Sequence, residues 1–147
     1  MNERPFTAVA EILTTLHAME GRLEGALEPM GLSLAKFKAL HTLASAGEPL
    51  PLRALAEQCA CVRSNITQLV DRLEAEKLVM RTDDPDDRRS IRAELTAEGR
   101  ARYKAAFKAL QTAENDLMSG LPKAKREVLW TLLRSLRAGA GVEEPAR

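Results

Sequence analysis

The chain has 147 residues, which is enough for one compact domain with additional helices. Hydrophobic residues make up 45% of the sequence and charged residues 29%, and these values exclude an intrinsically disordered chain and a fibrous repeat. The formal net charge is only +1, so an argument for nucleic-acid binding must come from where the charges lie and not from their sum.

No apolar run approaches the roughly 18–20 residues that span a bilayer, and the amino terminus lacks the basic and then apolar pattern of a secretory signal. We therefore predict a cytoplasmic protein with no membrane partner. The two cysteines, Cys59 and Cys61, are separated by one residue, and a disulfide across that spacing would be strained. Free thiols are predicted.

Two helices are predicted before residue 48. In the first, apolar residues recur at steps of three or four from Ile12 to Met30, and Gly31 ends the pattern. The second begins after Ser33, a residue type that caps helix amino termini, and ends near Gly47. Residues 1–31 are thus predicted to form a helix that precedes the central domain.

Residues 52–76 carry the pattern of a helix-turn-helix. Leu52, Leu55 and Ala56 mark a short helix, which a break at residues 60–62 separates from a second apolar stripe. The members of that stripe are Ile66, Leu69, Val70 and Leu73. The second helix, at about residues 63–76, is the predicted recognition helix.

After the recognition helix the hydrophobic period changes from helical to alternating. Residues 78–80 and 91–95 are predicted as two strands, joined by the turn-forming residues Asp83 to Asp87. We call residues 78–96 the wing. A helix-turn-helix followed by a β-hairpin predicts a winged helix over residues 32–96, in a fold that is mainly α.

Residues 97–138 are predicted to form two further helices. Thr96 is a suitable N-cap, with Glu98 in the first turn, where the helix dipole favours a carboxylate. The first helix has an apolar stripe at Tyr103, Phe107, Leu110 and Leu117. The second starts near Pro122 and has its stripe at Val128, Leu129, Leu132, Leu133 and Leu136. Residues 139–147 are predicted as a tail.

The helices in residues 1–31 and 97–138 carry apolar stripes that the winged helix does not need. Because such stripes are a liability in water, we hypothesise that these helices pack across a two-fold axis and form a homodimer. A closed monomeric bundle built on the same stripes is the alternative.

Two segments resemble the MarR family of transcriptional regulators. LAEQCACVRSNITQLVDRLEAEKLV, residues 55–79, resembles the helix-turn-helix of that family, and DPDDRRSIRAELTAEG, residues 84–99, resembles its wing. The wing resemblance includes the carboxylate-x-arginine pair Asp87 and Arg89. The similarity runs from about Leu32 to Gly99. It implies a dimeric regulator, usually a repressor, that binds a pseudo-palindromic double-stranded DNA operator and is released by a small molecule or an oxidant.

The polar face of the predicted recognition helix suits the major groove of DNA. If the apolar stripe faces the core, the outward residues are Arg63, Ser64, Asn65, Thr67, Gln68 and Arg72. Arg63 can bind guanine, Asn65 or Gln68 can bind adenine, and the other three can hold phosphates. A solvated face that binds nothing is the alternative.

Two adjacent arginines, Arg88 and Arg89, lie at the tip of the wing. A hairpin tip reaches beyond its domain, and an arginine there can enter the minor groove beside the recognition helix. The resemblance assigns that role to Arg89, and we predict that Arg88 meets a phosphate. Asp87 is predicted to hold the Arg89 guanidinium or the wing backbone in place before DNA binds. The alternative is that both arginines only neutralise the aspartates.

The resemblance also implies a cleft for phenolic or aromatic acid effectors, between the dimer helices and the winged helix. The candidate residues are His17, Met19, Arg22, Phe37 and His41. Ordinary core and surface positions are the alternative for all five.

Cys59 and Cys61 flank the turn before the recognition helix, so oxidation or metal capture there would distort the DNA-reading helix and make a redox or metal-responsive repressor. Buried small hydrophobic residues are the alternative. Only His17 and His41 can be added to the two thiols, which is a weak zinc ligand set. We predict no cofactor and no metal.

Two other classes of protein compete with a DNA-binding regulator. The sequence has no Ser-His-Asp constellation, no glycine-rich phosphate loop and no HExxH motif, so we predict no enzymatic activity. A winged helix that binds proteins predicts an apolar recognition face, whereas this face carries arginine, serine, asparagine, threonine and glutamine.

Overall fold

The computed structural model describes residues 7–59 and 63–142, apart from the side chains of residues 63 and 64. The elements in chain order are α1 (Thr7–Leu27), a 3₁₀ turn (Glu28–Met30), α2 (Leu34–Ala46), β1 (Leu50–Pro51), α3 (Leu52–Gln58), α4 (Arg63–Ala75), β2 (Val79–Asp83), β3 (Ile91–Leu95), α5 (Ala97–Met118) and α6 (Lys123–Gly139). The mainly α fold with a winged helix-turn-helix is confirmed.

The described residues fall into two compact units that divide between Ala113 and Glu114. The first unit contains α1 to α4, the sheet and most of α5. The second contains the end of α5 and α6. Among the described residues, no helix is both long enough and apolar enough to cross a membrane.

The sheet contains one strand that the sequence analysis did not predict. Its order is β1-β3-β2, and both pairings are antiparallel. The β2–β3 hairpin runs from Val79 opposite Leu95 to Asp83 opposite Ile91, so Asp83 ends a strand instead of starting the turn. β1 pairs with the other edge of β3 and has only two residues, which is too short for an alternating pattern to show.

The predicted helix caps are confirmed. The Ser33 hydroxyl accepts a hydrogen bond from the Lys36 N–H at 3.2 Å, and Gly47 ends α2 with a φ of 69°. Thr96 caps α5, because its hydroxyl oxygen accepts the Gly99 N–H at 2.9 Å. Pro122 occupies the N-cap position of α6.

The core of the first unit is made of aliphatic side chains from every one of its helices and from the sheet. Three of the four stripe residues of α4 are buried, Ile66, Val70 and Leu73, and Leu69 is half-buried. Burying one such side chain contributes about 1.5–3 kcal/mol. Their burial therefore fixes the rotation of α4 about its axis and determines which of its residues face solvent.

Candidate nucleic-acid interface

The exposed face of α4 is the polar face that the sequence predicted. Asn65, Thr67, Gln68 and Arg72 are all exposed. Arg63 lies in the first turn of the helix with Ser64, and the side chains of both lie outside the described residues. The arrangement presents amide, hydroxyl and guanidinium groups on one side of a helix whose other side is anchored in the core.

The end of α4 is joined to the wing and to α5 at one junction. Lys77 has a φ of 61°, a left-handed conformation that turns the chain out of the helix, and the Leu78 N–H donates to the Leu73 carbonyl at 2.9 Å. The Leu78 carbonyl accepts from the Thr96 N–H at 3.1 Å, and the Thr96 hydroxyl donates to the Lys77 carbonyl at 2.6 Å. Thr96 therefore caps α5 and also holds it against the end of the recognition helix.

A second connection between the wing and α4 was missed by the sequence analysis. Arg81 on β2 forms ion pairs with Asp71 and with Glu74 on α4, and its Nη1 donates to Glu74 Oε1 at 2.8 Å. The Arg81 N–H also donates to Glu74 Oε2 at 3.1 Å. Partial burial alone would lower the pKa of Arg81, but the hydrogen bonds to Asp71 and Glu74 raise it. Arg81 thus couples the orientation of the wing strand to that of the recognition helix.

The turn of the wing is held by Asp84, a buried carboxylate that is 8% exposed. It accepts the Asp86 N–H at 2.9 Å and the Arg92 Nη2 at 3.0 Å. The Asp86 hydrogen bond, followed by the Arg92 guanidinium, lowers the pKa of Asp84 below its usual range. The sequence analysis treated Asp84 as one of several turn-forming aspartates, whereas it forms an ion pair with a strand residue.

Replacing Asp84 with asparagine is expected to destabilise the fold at pH 7 and to have little effect in acid. Because folding lowers the pKa of Asp84, its contribution to stability is present above its unfolded pKa of about 3.9 and is lost as the pH falls through the lower folded value. Urea midpoints of wild type and Asp84→Asn should therefore differ at pH 7 and converge only as the pH falls below the lowered pKa of Asp84 in the folded state. Asp83→Asn, at an exposed position of the same wing, is the matched control. A difference that persists at low pH would contradict the assignment.

The two arginines at the wing tip are exposed. Asp87 Oδ1 accepts the Arg89 N–H at 2.9 Å, so Asp87 holds the wing backbone, which is one of the two roles predicted for it. Neither the Arg88 nor the Arg89 guanidinium makes a hydrogen bond or an ion pair with any described residue. Both charges thus project from a turn whose backbone is already ordered.

A cleft lies between the wing and the helix-turn-helix. It measures about 270 Å³ and is lined by Leu52, Arg53, Ile66, Thr67, Arg89, Ser90 and Ile91. The structure therefore brings together Thr67 of the recognition helix and Arg89 of the wing. It adds Arg53 of α3, which sequence reasoning missed because no local pattern connects α3 to the wing.

The structure brings together two of the five candidate effector residues. Phe37 and His41 on α2 form an aromatic cluster with Tyr103 and Phe107 on α5, with ring centroids 5.8–6.2 Å apart. His41 Nδ1 lies 3.0 Å from the Tyr103 hydroxyl oxygen, and burial raises the pKa of Tyr103. On α1, His17 and Arg22 are exposed and Met19 is half-buried.

Cys59 is 2% exposed, and its sulfur lies 3.4 Å from the Thr42 hydroxyl oxygen. Cys61 lies outside the described residues. Within residues 7–59 and 63–142, no three His, Cys, Asp or Glu side chains are grouped in a way that could hold a metal ion.

Comparison with known proteins gives both sequence and fold relatives. The sequence model of the MarR family matches residues 32–91. The HTH-type transcriptional regulator YkoM of Bacillus subtilis is 30% identical over 106 residues, which cover 71% of this chain and 67% of YkoM. The HTH-type transcriptional repressor YetL of the same organism is 38% identical over 89 residues, 60% of this chain and 51% of YetL. The matches thus span about two thirds of YkoM and about half of YetL.

Three solved structures share the fold. A MarR-family regulator from Rhodococcus sp. RHA1 aligns with a TM-score of 0.78 and 27% identity, over 92% of this chain and 96% of its own. The organohalide-sensing regulator RdhR, bound to 2,4-dichlorophenol, aligns with a TM-score of 0.83 and 22% identity, over 90% of this chain and 78% of RdhR. A mutant of MarR from E. coli in complex with operator DNA aligns with a TM-score of 0.79 and 22% identity, over 91% of this chain and 99% of the MarR chain.

Proposed function

The chain belongs to the MarR family of transcriptional regulators, and on that premise we propose that it is a repressor that binds a pseudo-palindromic operator as a homodimer. The observation that carries this proposal is the cleft between the wing and the helix-turn-helix, which both Arg89 of the wing and Thr67 of the recognition helix line. One protein surface therefore offers a polar helix face to a major groove and an arginine to the adjacent minor groove.

Each predicted contact residue has a role in this proposal. On α4, Arg63 reads guanine, and Asn65 or Gln68 reads adenine, because these side chains match the edges of those bases in the major groove. The remaining α4 contacts, from Ser64, Thr67 and Arg72, hold phosphates. At the wing tip Arg89 enters the minor groove, Arg88 meets a phosphate, and Asp87 keeps the turn ordered in advance, which reduces the entropy lost on binding.

The homodimer is supported by the apolar side chains that the single chain leaves exposed. On α1 these are Val9, Ile12, Leu13 and Leu16, and on α6 they are Val128, Trp130, Leu132, Leu133 and Leu136. A soluble monomer rarely leaves helix stripes of this kind in water. We therefore propose that residues 1–31 and 97–138 are dimerisation segments, joined by the DNA-binding domain of residues 32–96.

Repression and release by a ligand are supported by the relatives. YetL is described as a repressor, and RdhR has been solved with 2,4-dichlorophenol bound. In this chain we propose that a small phenolic or aromatic effector binds beside the aromatic cluster, near Phe37 and His41, with His17, Met19 and Arg22 contributing from α1. The proposed effector site is tested by adding 2,4-dichlorophenol to the operator complex of wild type and to that of His41→Ala.

If the phenol changes the stability of neither complex, the proposed effector site is contradicted.

Selection from a random DNA pool tests the DNA-binding proposal. At about 150 mM salt, where non-specific binding is weak, the purified protein is expected to enrich an inverted repeat with half-sites about one helical turn apart. The mass of the complex should correspond to two chains on each duplex. A pool that stays random after repeated selection would contradict sequence-specific binding, and one chain per duplex would contradict the dimer.

A further inference from the structure

The polar lining of the cleft between wing and helix-turn-helix has the composition of a phosphate site. Arg53 contributes a guanidinium group, and Thr67 and Ser90 contribute hydroxyl groups. Arg89, whose guanidinium is assigned to the minor groove, borders the cleft, and the other lining side chains are apolar. Guanidinium groups bind phosphate oxygens through two parallel hydrogen bonds, and hydroxyl groups are common phosphate donors in protein–DNA complexes. Among the described residues that line the cleft, none carries a carboxylate that would repel an anion.

The cleft lies where a DNA backbone would pass if α4 and the wing tip occupied adjacent grooves. Adjacent major and minor grooves are separated by one sugar-phosphate strand. If α4 occupies a major groove and the wing tip occupies the neighbouring minor groove, that strand must pass between α4 and the wing. The cleft of about 270 Å³ occupies the gap between α4 and the wing, because residues of both elements line it.

We infer that this cleft holds a backbone phosphate of the operator and that Arg53 of α3 is its main ligand, an assignment that rests on the proposed function. The Arg53 side chain is 74% exposed, and its ion pair within the described residues is with Glu57, at 3.2 Å. Glu57 is itself 67% exposed, and exposed pairs of this kind are weak because water and salt screen them. A phosphate in the cleft can therefore replace Glu57 as the partner of Arg53.

The test measures affinity for the selected operator and for a scrambled duplex of equal length. Arg53→Ala is expected to weaken both complexes by the same factor, about 5- to 10-fold at 150 mM salt, and to lower the slope of log Kd against log salt by about one. Arg53→Lys keeps the charge and should retain the slope. Glu57→Gln removes the competing carboxylate and should tighten both complexes. Lys108→Ala, which removes an exposed charge from α5, is the matched control and should change neither.

The outcomes separate this inference from the function on which it rests. A loss confined to the operator would show that Arg53 reads a base and would overturn the phosphate assignment. If wild type binds its operator while Arg53→Ala behaves as Lys108→Ala does, the phosphate site is refuted and the regulator remains. If wild type shows no salt-dependent DNA binding, the phosphate assignment and the proposed DNA-binding function are both refuted. Circular dichroism of each variant confirms that the fold is retained.

Discussion

Replacing Gly99 with alanine is expected to destabilise the protein by about 2–4 kcal/mol, a large part of the stability of a typical domain. Gly99 lies in the first turn of α5, and a Cβ added there would stand 1.8 Å from the Leu78 carbonyl oxygen and 2.8 Å from its carbon. Neither atom can move easily, because the same carbonyl accepts the Thr96 N–H at the junction of α4, the wing and α5. The backbone at this junction must therefore separate.

Gly21→Ala is the control for this prediction, since Gly21 lies within α1 and no atom lies within 4 Å of its added Cβ. Alanine in an open helical position is more stable than glycine by about 0.5–1 kcal/mol. The urea midpoint, monitored by circular dichroism, should therefore fall for Gly99→Ala and rise for Gly21→Ala relative to wild type. Similar unfolding midpoints for Gly99→Ala and wild type would contradict the close approach of α5 to Leu78.

Replacing Arg89 with alanine is expected to weaken operator binding by about 1–3 kcal/mol, or about 5- to 150-fold, and to leave the proposed dimer intact. The Arg89 guanidinium makes no hydrogen bond or ion pair with a described residue, so its removal leaves no buried group unpaired. The Asp87 carboxylate accepts the backbone N–H of residue 89, a contact that alanine preserves. The loss is therefore expected in binding and not in stability.

Arg88→Ala distinguishes the two wing arginines. A phosphate contact carries no sequence information, so Arg88→Ala should weaken operator and scrambled duplexes equally. Arg89→Ala should reduce the discrimination between them, because the width of the minor groove depends on sequence. The measurement is a titration of both duplexes by fluorescence anisotropy. Unchanged operator affinity in Arg89→Ala would refute the assignment of the wing arginine to the minor groove.

Contacts between α5, α4 and the wing can transmit a movement of one element to the DNA-binding surface. Thr96 ties α5 to the turn after the recognition helix, and Arg81 ties that helix to the wing. The aromatic cluster joins α2 to the same α5, through the contact between His41 and Tyr103. A ligand that shifts α5 would therefore act on α4 and on the wing through hydrogen bonds that are already formed.

The local elements of this fold can be predicted from short segments of the sequence. The stripe of α4 from Ile66 to Leu73 predicted which side of the recognition helix is buried, because helical periodicity alone assigns residues to a face. Ser33, Gly47 and Thr96 predicted helix ends, since capping uses atoms within three or four residues. The arginine pair at the wing tip could also be identified, because a turn rich in aspartate between two apolar segments is a local signal.

The contacts between residues far apart in the sequence could not be predicted and become visible only in the folded chain. Nothing in the sequence distinguishes Asp84 as the partner of Arg92, or Arg81 as the partner of Asp71 and Glu74, because many charges in residues 63–104 have suitable chemistry. The contact between His41 and Tyr103 joins residues 62 positions apart. The strand β1 and the cleft with Arg53 likewise depend on how α3 and the wing pack. Periodicity and capping are properties of short segments, whereas these sites form only when the core brings separate segments together.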